Sequence, residues 1–146
     1  MLLFFGLVAV TGTVFVQTGQ WRAEGMSLGF QIGFLSATLI AINNLRDIEE
    51  DTLSGKRTLA VRWGNHYTRG LITVLFVLPY VVGFRWWRED ALPLLWWFPL
   101  PAFALGYFIA GRIRRTEPSP IYNKFLALAG VHLLLWTGLF TFACLR

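Results

Sequence analysis

Five apolar segments occupy most of this chain, and they leave few folds open to it. They cover about residues 2–16, 28–45, 71–84 (or from nearer residue 66), 92–110 and 125–145. A helix that crosses a bilayer needs about 20 predominantly apolar residues, and these segments come near that length, the first and third on the short side. The reading is an all-α, multipass transmembrane helix bundle of five helices. Composition agrees. Hydrophobic residues make up 55% and charged residues 14% of the chain, against about 25% charged in a soluble domain. The mean hydropathy is +0.55.

The formal charge is +5. In a soluble protein that balance would raise nucleic acid as a partner. Here the cations sit in short loops between apolar runs, so membrane orientation and lipid headgroups account for them and no nucleic-acid partner is expected. Lys56, Arg57, Arg62 and Arg69, with Arg46 at the edge, lie between the second and third segments. Arg112, Arg114, Arg115 and Lys124 lie between the fourth and fifth. The other two loops hold Arg22, then Arg85 and Arg88. The positive-inside rule puts the two richer loops in the cytoplasm, in a cell (inner) membrane.

Trp21, Trp63, Trp86 and Trp87 fall near segment ends, where amphipathic rings favour the headgroup region. Trp96, Trp97 and Trp136 lie deeper and read as packing residues. In the second segment Gly25, Gly29, Gly33, Ala37 and Ala41 recur every four residues, a spacing that lets helix backbones approach closely in lipid. Glu117-Pro118-Ser119-Pro120 breaks the chain between the last two segments. The single cysteine, Cys144, excludes an internal disulfide and reads as a small helix residue. His66 and His132 lack ligand-spaced neighbours; His132 reads as a packed polar residue. The first segment has no basic leader or small-residue cleavage site, which argues against a signal peptide. The chain enters an apolar helix at its second residue, as a protein entered in the middle would.

The polar exception is Asn43-Asn44-Leu45-Arg46-Asp47-Ile48-Glu49-Glu50-Asp51, continued by Thr52-Leu53-Ser54-Gly55-Lys56-Arg57-Thr58. Asn43, Asp47 and Asp51 recur every four residues and share one helix face over roughly 12 Å. Carboxylates at a helix C-terminus oppose the helix dipole. Magnesium would reverse that balance, since it takes oxygen ligands and binds through one or two carboxylates plus substrate phosphates. Gly55 permits a sharp turn, and Lys56 and Arg57 could fold back onto phosphate oxygens. The alternative is a solvated charged loop with salt bridges among Arg46, Glu49, Glu50 and Lys56. Glu49 and Glu50 lie off the aspartate face and read as solvated.

This run, with Gly55-Lys56-Arg57-Thr58-Leu59-Ala60-Val61-Arg62-Trp63-Gly64 after it, resembles the second aspartate-rich motif of the UbiA superfamily of intramembrane prenyltransferases. Its form is most similar to the 1,4-dihydroxy-2-naphthoate polyprenyltransferases of the menaquinone pathway. Val16-Gln17-Thr18-Gly19 resembles that branch more weakly. The resemblance implies a nine-helix fold with two aspartate-rich motifs, of which the whole chain, residues 1–146, would be a partial domain comprising helices five to nine. The first motif, N-x-x-x-D-x-x-x-D, has no counterpart here.

The resemblance further implies Mg2+ as cofactor, polyprenyl diphosphate as donor and dihydroxynaphthoate as acceptor. It implies Asp47 and Asp51 as the catalytic and metal-binding pair, with Asn43, Lys56 and Arg57 at the diphosphate. Ionisation would give an allylic cation in an apolar cavity, and the acceptor would attack it and lose CO2. With one motif absent, the isolated chain is expected to be inactive, its other half encoded upstream or supplied by a second chain. Another acceptor, such as homogentisate or hydroxybenzoate, and a non-catalytic membrane fragment stand as alternatives.

Overall fold

The computed structural model describes residues 2–88 and 99–145. Helix α1 runs Leu2–Thr18; its Leu2–Thr11 stretch is π-wound, and it continues as an α-helix over Gly12–Thr18. Then follow α2 (Ala23–Arg46), α3 (Ile48–Leu53), α4 (Leu59–Arg88), α5 (Pro99–Arg115) and α6 (Tyr122–Cys144). The described residues of each apolar segment thus lie largely on a helix, and no strand occurs among the described residues. Among those residues two helices, α2 and α6, are long and apolar enough to cross a membrane, and α1 is a shorter apolar helix.

One expectation changes. The bundle is read from sequence as five helices; among the described residues a sixth, α3, forms inside the stretch read as a charged loop. Within α4, Gly64 has non-helical backbone angles, φ 79° and ψ 173°. It divides a short helical turn that begins at Leu59 from the helix of the third segment, which starts just beyond it, near residue 66 as read. At φ 79° Gly64 adopts a backbone conformation that side chains oppose. The start of the fourth segment, residues 92–98 with Trp96 and Trp97, lies outside the described residues, as do the side chains of Trp86 and Trp87.

Helix α2 is central: it touches α1, α4 and α6, while α5 packs against α4 and α6. The small-residue stripe makes the first of these contacts. A Cβ on Gly33 would lie 3.2 Å from the Gly6 Cα, and one on Gly25 would lie 3.2 Å from Val14. The α1 and α2 backbones are therefore in direct contact, the geometry that small residues serve in lipid, where dispersion drives helix association. Ile42, Leu45, Ile72, Phe76, Ile109, Ile113 and Tyr122 form the core between α2, α4, α5 and α6. Trp136 joins Leu35 and Ala102 in a second cluster. Outward faces are apolar too, with Phe4, Val81, Leu134 and Phe142 exposed, which suits lipid rather than water.

Two hydrogen bonds between helices pair buried polar groups. Gln31 Nε2 donates to the Pro79 carbonyl at 2.8 Å, and Tyr80 Oη and His132 Nε2 lie 2.8 Å apart. These bonds tie α4 to α2 and to α6 and meet the demand that apolar surroundings place on buried polar groups. His132 is a packed polar residue, as its sequence context suggests.

The two basic loops meet at one end of the bundle. Asn65 Nδ2 donates to Glu117 Oε2 at 3.1 Å. Arg69 donates to the carbonyls of Thr116 at 2.7 Å and Arg114 at 3.4 Å, capping the C-terminus of α5. Arg69, read from sequence as an orientation signal, is thus also a structural anchor.

Candidate functional site

Asn43, Asp47 and Asp51 form a ladder, although the helix breaks within it. Asp47 closes α2 and precedes α3, at φ −92° and ψ 13°. The four-residue backbone bonds persist across the break: the Asp47 N–H donates to the Asn43 carbonyl at 3.1 Å, and the Asp51 N–H to the Asp47 carbonyl at 2.8 Å. The three residues therefore keep successive turns. The break also revises the electrostatics. Glu49, Glu50 and Asp51 occupy the first turn of a new helix, the end at which the helix dipole favours carboxylates. The expected conflict of these acids with a helix C-terminus is removed.

Each aspartate carries its own cation. Arg46 grips Asp47 with a fork, Nε to Oδ1 at 2.6 Å and Nη2 to Oδ2 at 2.9 Å. Asn43 Nδ2 adds a bond to Oδ2 at 3.2 Å. The hydrogen bond from Arg46 holds the Asp47 carboxyl below its ordinary range, against the opposing effect of burial. Asp51 is buried, with 5% of its surface exposed. Lys56 Nζ donates to Asp51 Oδ1 at 3.0 Å, which raises the Lys56 ammonium above its ordinary range. Gly55, at φ 71°, makes the turn that brings Lys56 back. The Lys56 N–H then closes on the Asp51 carbonyl at 2.9 Å. Arg57 is exposed and makes no hydrogen bond among the described residues. Of the two cations expected to fold back, only Lys56 does so, and its partner is a carboxylate. Glu49 and Glu50 are exposed, as expected.

Two spaces open along this stretch, one lined by Asp47 and one by Asn44. A cleft of about 360 Å³ is walled by Arg46, Asp47, Glu49 and Glu50 on one side and by Pro118–Pro120 and Asn123 on the other. An apolar cavity of about 310 Å³, with Asn44 on its lining among Ala37, Ala41, Leu71 and Leu75, lies between α2 and α4. Among the described residues no group of three His, Cys, Asp or Glu side chains converges on a metal-sized site. The donors still suit magnesium in kind. Two carboxylates and an amide offer oxygen ligands of the type that ion takes, and it completes its shell with water and phosphate.

Three participants escape sequence reading. Arg46 is legible inside the N-N-x-R-D run, but nothing there says that it grips its neighbour. Asn44 is quoted in the motif without a role and lines the apolar cavity. Asn123 lies 77 residues from Arg46 and accepts from Arg46 Nη1 at 2.5 Å; no sequence signal joins them.

Comparison with known proteins places this architecture. The sequence profile of the UbiA prenyltransferase family matches residues 1–137. A 1,4-dihydroxy-2-naphthoate octaprenyltransferase of Mycobacterium leprae (strain TN) is 47% identical over 77 residues, covering 53% of this chain and 26% of that protein. The protein of the same name from Mycobacterium tuberculosis is 41% identical over 86 residues, 56% of this chain and 30% of its own length. A UbiA prenyltransferase domain-containing protein 1 homolog of Drosophila melanogaster is 27% identical over 119 residues, covering 80% of this chain and 32% of that protein. The chain thus spans about a quarter to a third of these curated relatives. No solved structure matches significantly. The helical architecture and the match over nearly its full length identify the chain as a member of the UbiA prenyltransferase family.

Proposed function

We infer that residues 1–146 are a partial UbiA-type domain that supplies the diphosphate end of a prenyltransferase site, with 1,4-dihydroxy-2-naphthoate as the acceptor in menaquinone synthesis. The observation that carries this reading is the Asn43–Asp47–Asp51 ladder on the same stretch of chain as Asn44, which lines an apolar cavity in an otherwise apolar bundle. The chemistry needs both. The donor is a polyprenyl diphosphate, amphipathic in the same sense as the site.

Asp47, Asp51 and Asn43 would hold Mg2+, which when bound supplies charge stabilisation to the leaving diphosphate. Lys56, already folded over Asp51, and Arg57 donate to the phosphate oxygens. The allylic C–O bond breaks and the electron pair leaves with the diphosphate. The apolar walls keep water from the allylic cation. A ring carbon of the acceptor forms the new C–C bond, and the acceptor's carboxyl group departs as CO2. The names of the relatives at 41% and 47% identity support this acceptor over homogentisate or hydroxybenzoate. The N-x-x-x-D-x-x-x-D partner motif comes from a further segment or a second chain. Loop charge supports a cytoplasmic position for the motif, at a cell (inner) membrane.

The test uses membranes containing the chain together with the segment or second chain that carries the N-x-x-x-D-x-x-x-D motif, supplied with labelled polyprenyl diphosphate and each acceptor in turn. Prenylation of dihydroxynaphthoate, reduced at least about 100-fold by Asp47→Asn or Asp51→Asn, is the expected result, since electrostatic leaving-group stabilisation is worth factors of that order. Equal turnover by the variants would overturn the site, and preference for another acceptor would overturn the pathway.

A further inference from the structure

The Asp47 carboxylate is fully engaged by protein donors. Arg46 takes Oδ1 at 2.6 Å and Oδ2 at 2.9 Å, and Asn43 takes Oδ2 at 3.2 Å. A carboxylate offers about four lone-pair sites, so three donors leave it almost saturated. A divalent cation about 2.0–2.1 Å from either oxygen would have to share that oxygen with the guanidinium, and two cations repel there. Binding of the ion and the Arg46 fork therefore oppose one another.

The displaced guanidinium has a defined place to go. Its third nitrogen, Nη1, is bonded to Asn123 Oδ1 on α6. Asn123 and Pro118–Pro120 form the far wall of the cleft of about 360 Å³ whose near wall is Arg46 and Asp47. A side chain released from Asp47 but retained by Asn123 remains at the mouth of that cleft. Arginine there presents a planar fork, the geometry that phosphate accepts in bidentate fashion. Lys56 is arranged differently: it approaches Asp51 as a single point charge, on one oxygen.

We propose that Arg46 is an exchangeable counter-ion, displaced from Asp47 by the divalent cation and then, tethered by Asn123, bound to the diphosphate that the cation brings. The proposal rests on the diphosphate-site reading above. It makes binding of ion and diphosphate cooperative, because the ion alone must expel Arg46, whereas the ion with diphosphate gives Arg46 a new partner.

The test uses the full chain in nanodiscs, with Mn2+ as the probe read by electron paramagnetic resonance, alone and with inorganic pyrophosphate. Arg46→Gln is expected to bind Mn2+ alone about three- to tenfold more tightly, the size of a lost competing ion pair. It should also lose most of the pyrophosphate enhancement. Asn123→Ala should leave binding of Mn2+ alone near the parent value while weakening the enhancement several-fold. Arg46→Lys keeps the charge without the fork and should fall between the parent and Arg46→Gln, which preserves the test if the glutamine variant does not fold. A merely structural Arg46 would not raise metal affinity on removal. If Asp47→Asn abolishes Mn2+ binding but folded Arg46→Gln and Arg46→Lys bind it no more tightly than the parent, the exchange is wrong and the site reading stands. If Asp47→Asn changes nothing, the site reading fails and the exchange fails with it.

Discussion

Adding a single methyl group to Gly6 would test how α1 is held. A Cβ built there overlaps the Gly29 carbonyl oxygen and lies 2.7 Å from the Gly33 Cα and 3.1 Å from the Gly33 nitrogen. All three atoms are backbone and cannot rotate aside. Gly6→Ala must therefore part the two helices by roughly 1 Å, and a gap of that size forfeits a quarter to a half of each dispersion contact along the seam. In lipid that seam has no hydrophobic driving force to replace it. Over-packing of this kind costs about 1–3 kcal/mol, and the backbone obstacles put Gly6→Ala near 2. Gly138→Ala is the control: a Cβ there meets nothing within 4 Å. It should be neutral or gain up to about 1 kcal/mol from helix propensity. The assay is reversible unfolding in mixed micelles followed by circular dichroism, with amide hydrogen exchange over residues 2–18 to read α1 itself. If Gly6→Ala matches Gly138→Ala in both, the two helices are not held by backbone contact and the argument is refuted.

Three further outcomes follow from the same contacts. Tyr80→Phe removes the bond between Tyr80 and His132 and should cost about 0.6–1.7 kcal/mol in the same unfolding titration, the range of interhelical hydrogen bonds in membranes. Arg69→Gln strips the cap from α5 and the ion pair to Glu117 at 3.0 Å. It should cost about 1–3 kcal/mol and speed proteolysis in the turn at residues 116–121. The ion pairs of the ladder should respond to pH only at the extremes. With its pKa lowered, Asp47 contributes fully above its ordinary value of 3.8 and loses that contribution as pH falls through the lower folded value. With its pKa raised, Lys56 contributes fully below 10.5 and loses that contribution as pH rises through the higher folded value. Thermal stability measured with chelator present should be flat between these limits, and Asp47→Asn should flatten the acid limb.

Much of the fold was legible because lipid leaves the backbone few choices. The described part of each apolar segment is largely helical, and the Gly25–Gly29–Gly33 stripe makes the α1 contact, since small residues at that spacing have one main use between helices. Less of the site was legible. The four-residue ladder was right in spacing but wrong in continuity: the chain breaks at Asp47 and restarts as α3. Lys56 was expected to turn back at Gly55 and does, yet it meets Asp51 rather than leaving its charge free. Arg57 was grouped with Lys56 by adjacency alone, and adjacent residues leave a turn in different directions.

By itself, then, the sequence determined the helical class, the position of the helices, the small-residue seam and the chemical type of the polar stretch. These follow from local patterns, namely hydropathy over a helix length and spacing over a few turns. Only the tertiary structure decided which charges meet. Arg46 is held between Asp47 and Asn123, which are 1 and 77 residues away along the chain. Arg69 caps a helix whose end lies more than forty residues further on. Pairings of that kind depend on how the basic loops are brought together at one end of the bundle, and that is a property of helix packing which no local pattern encodes.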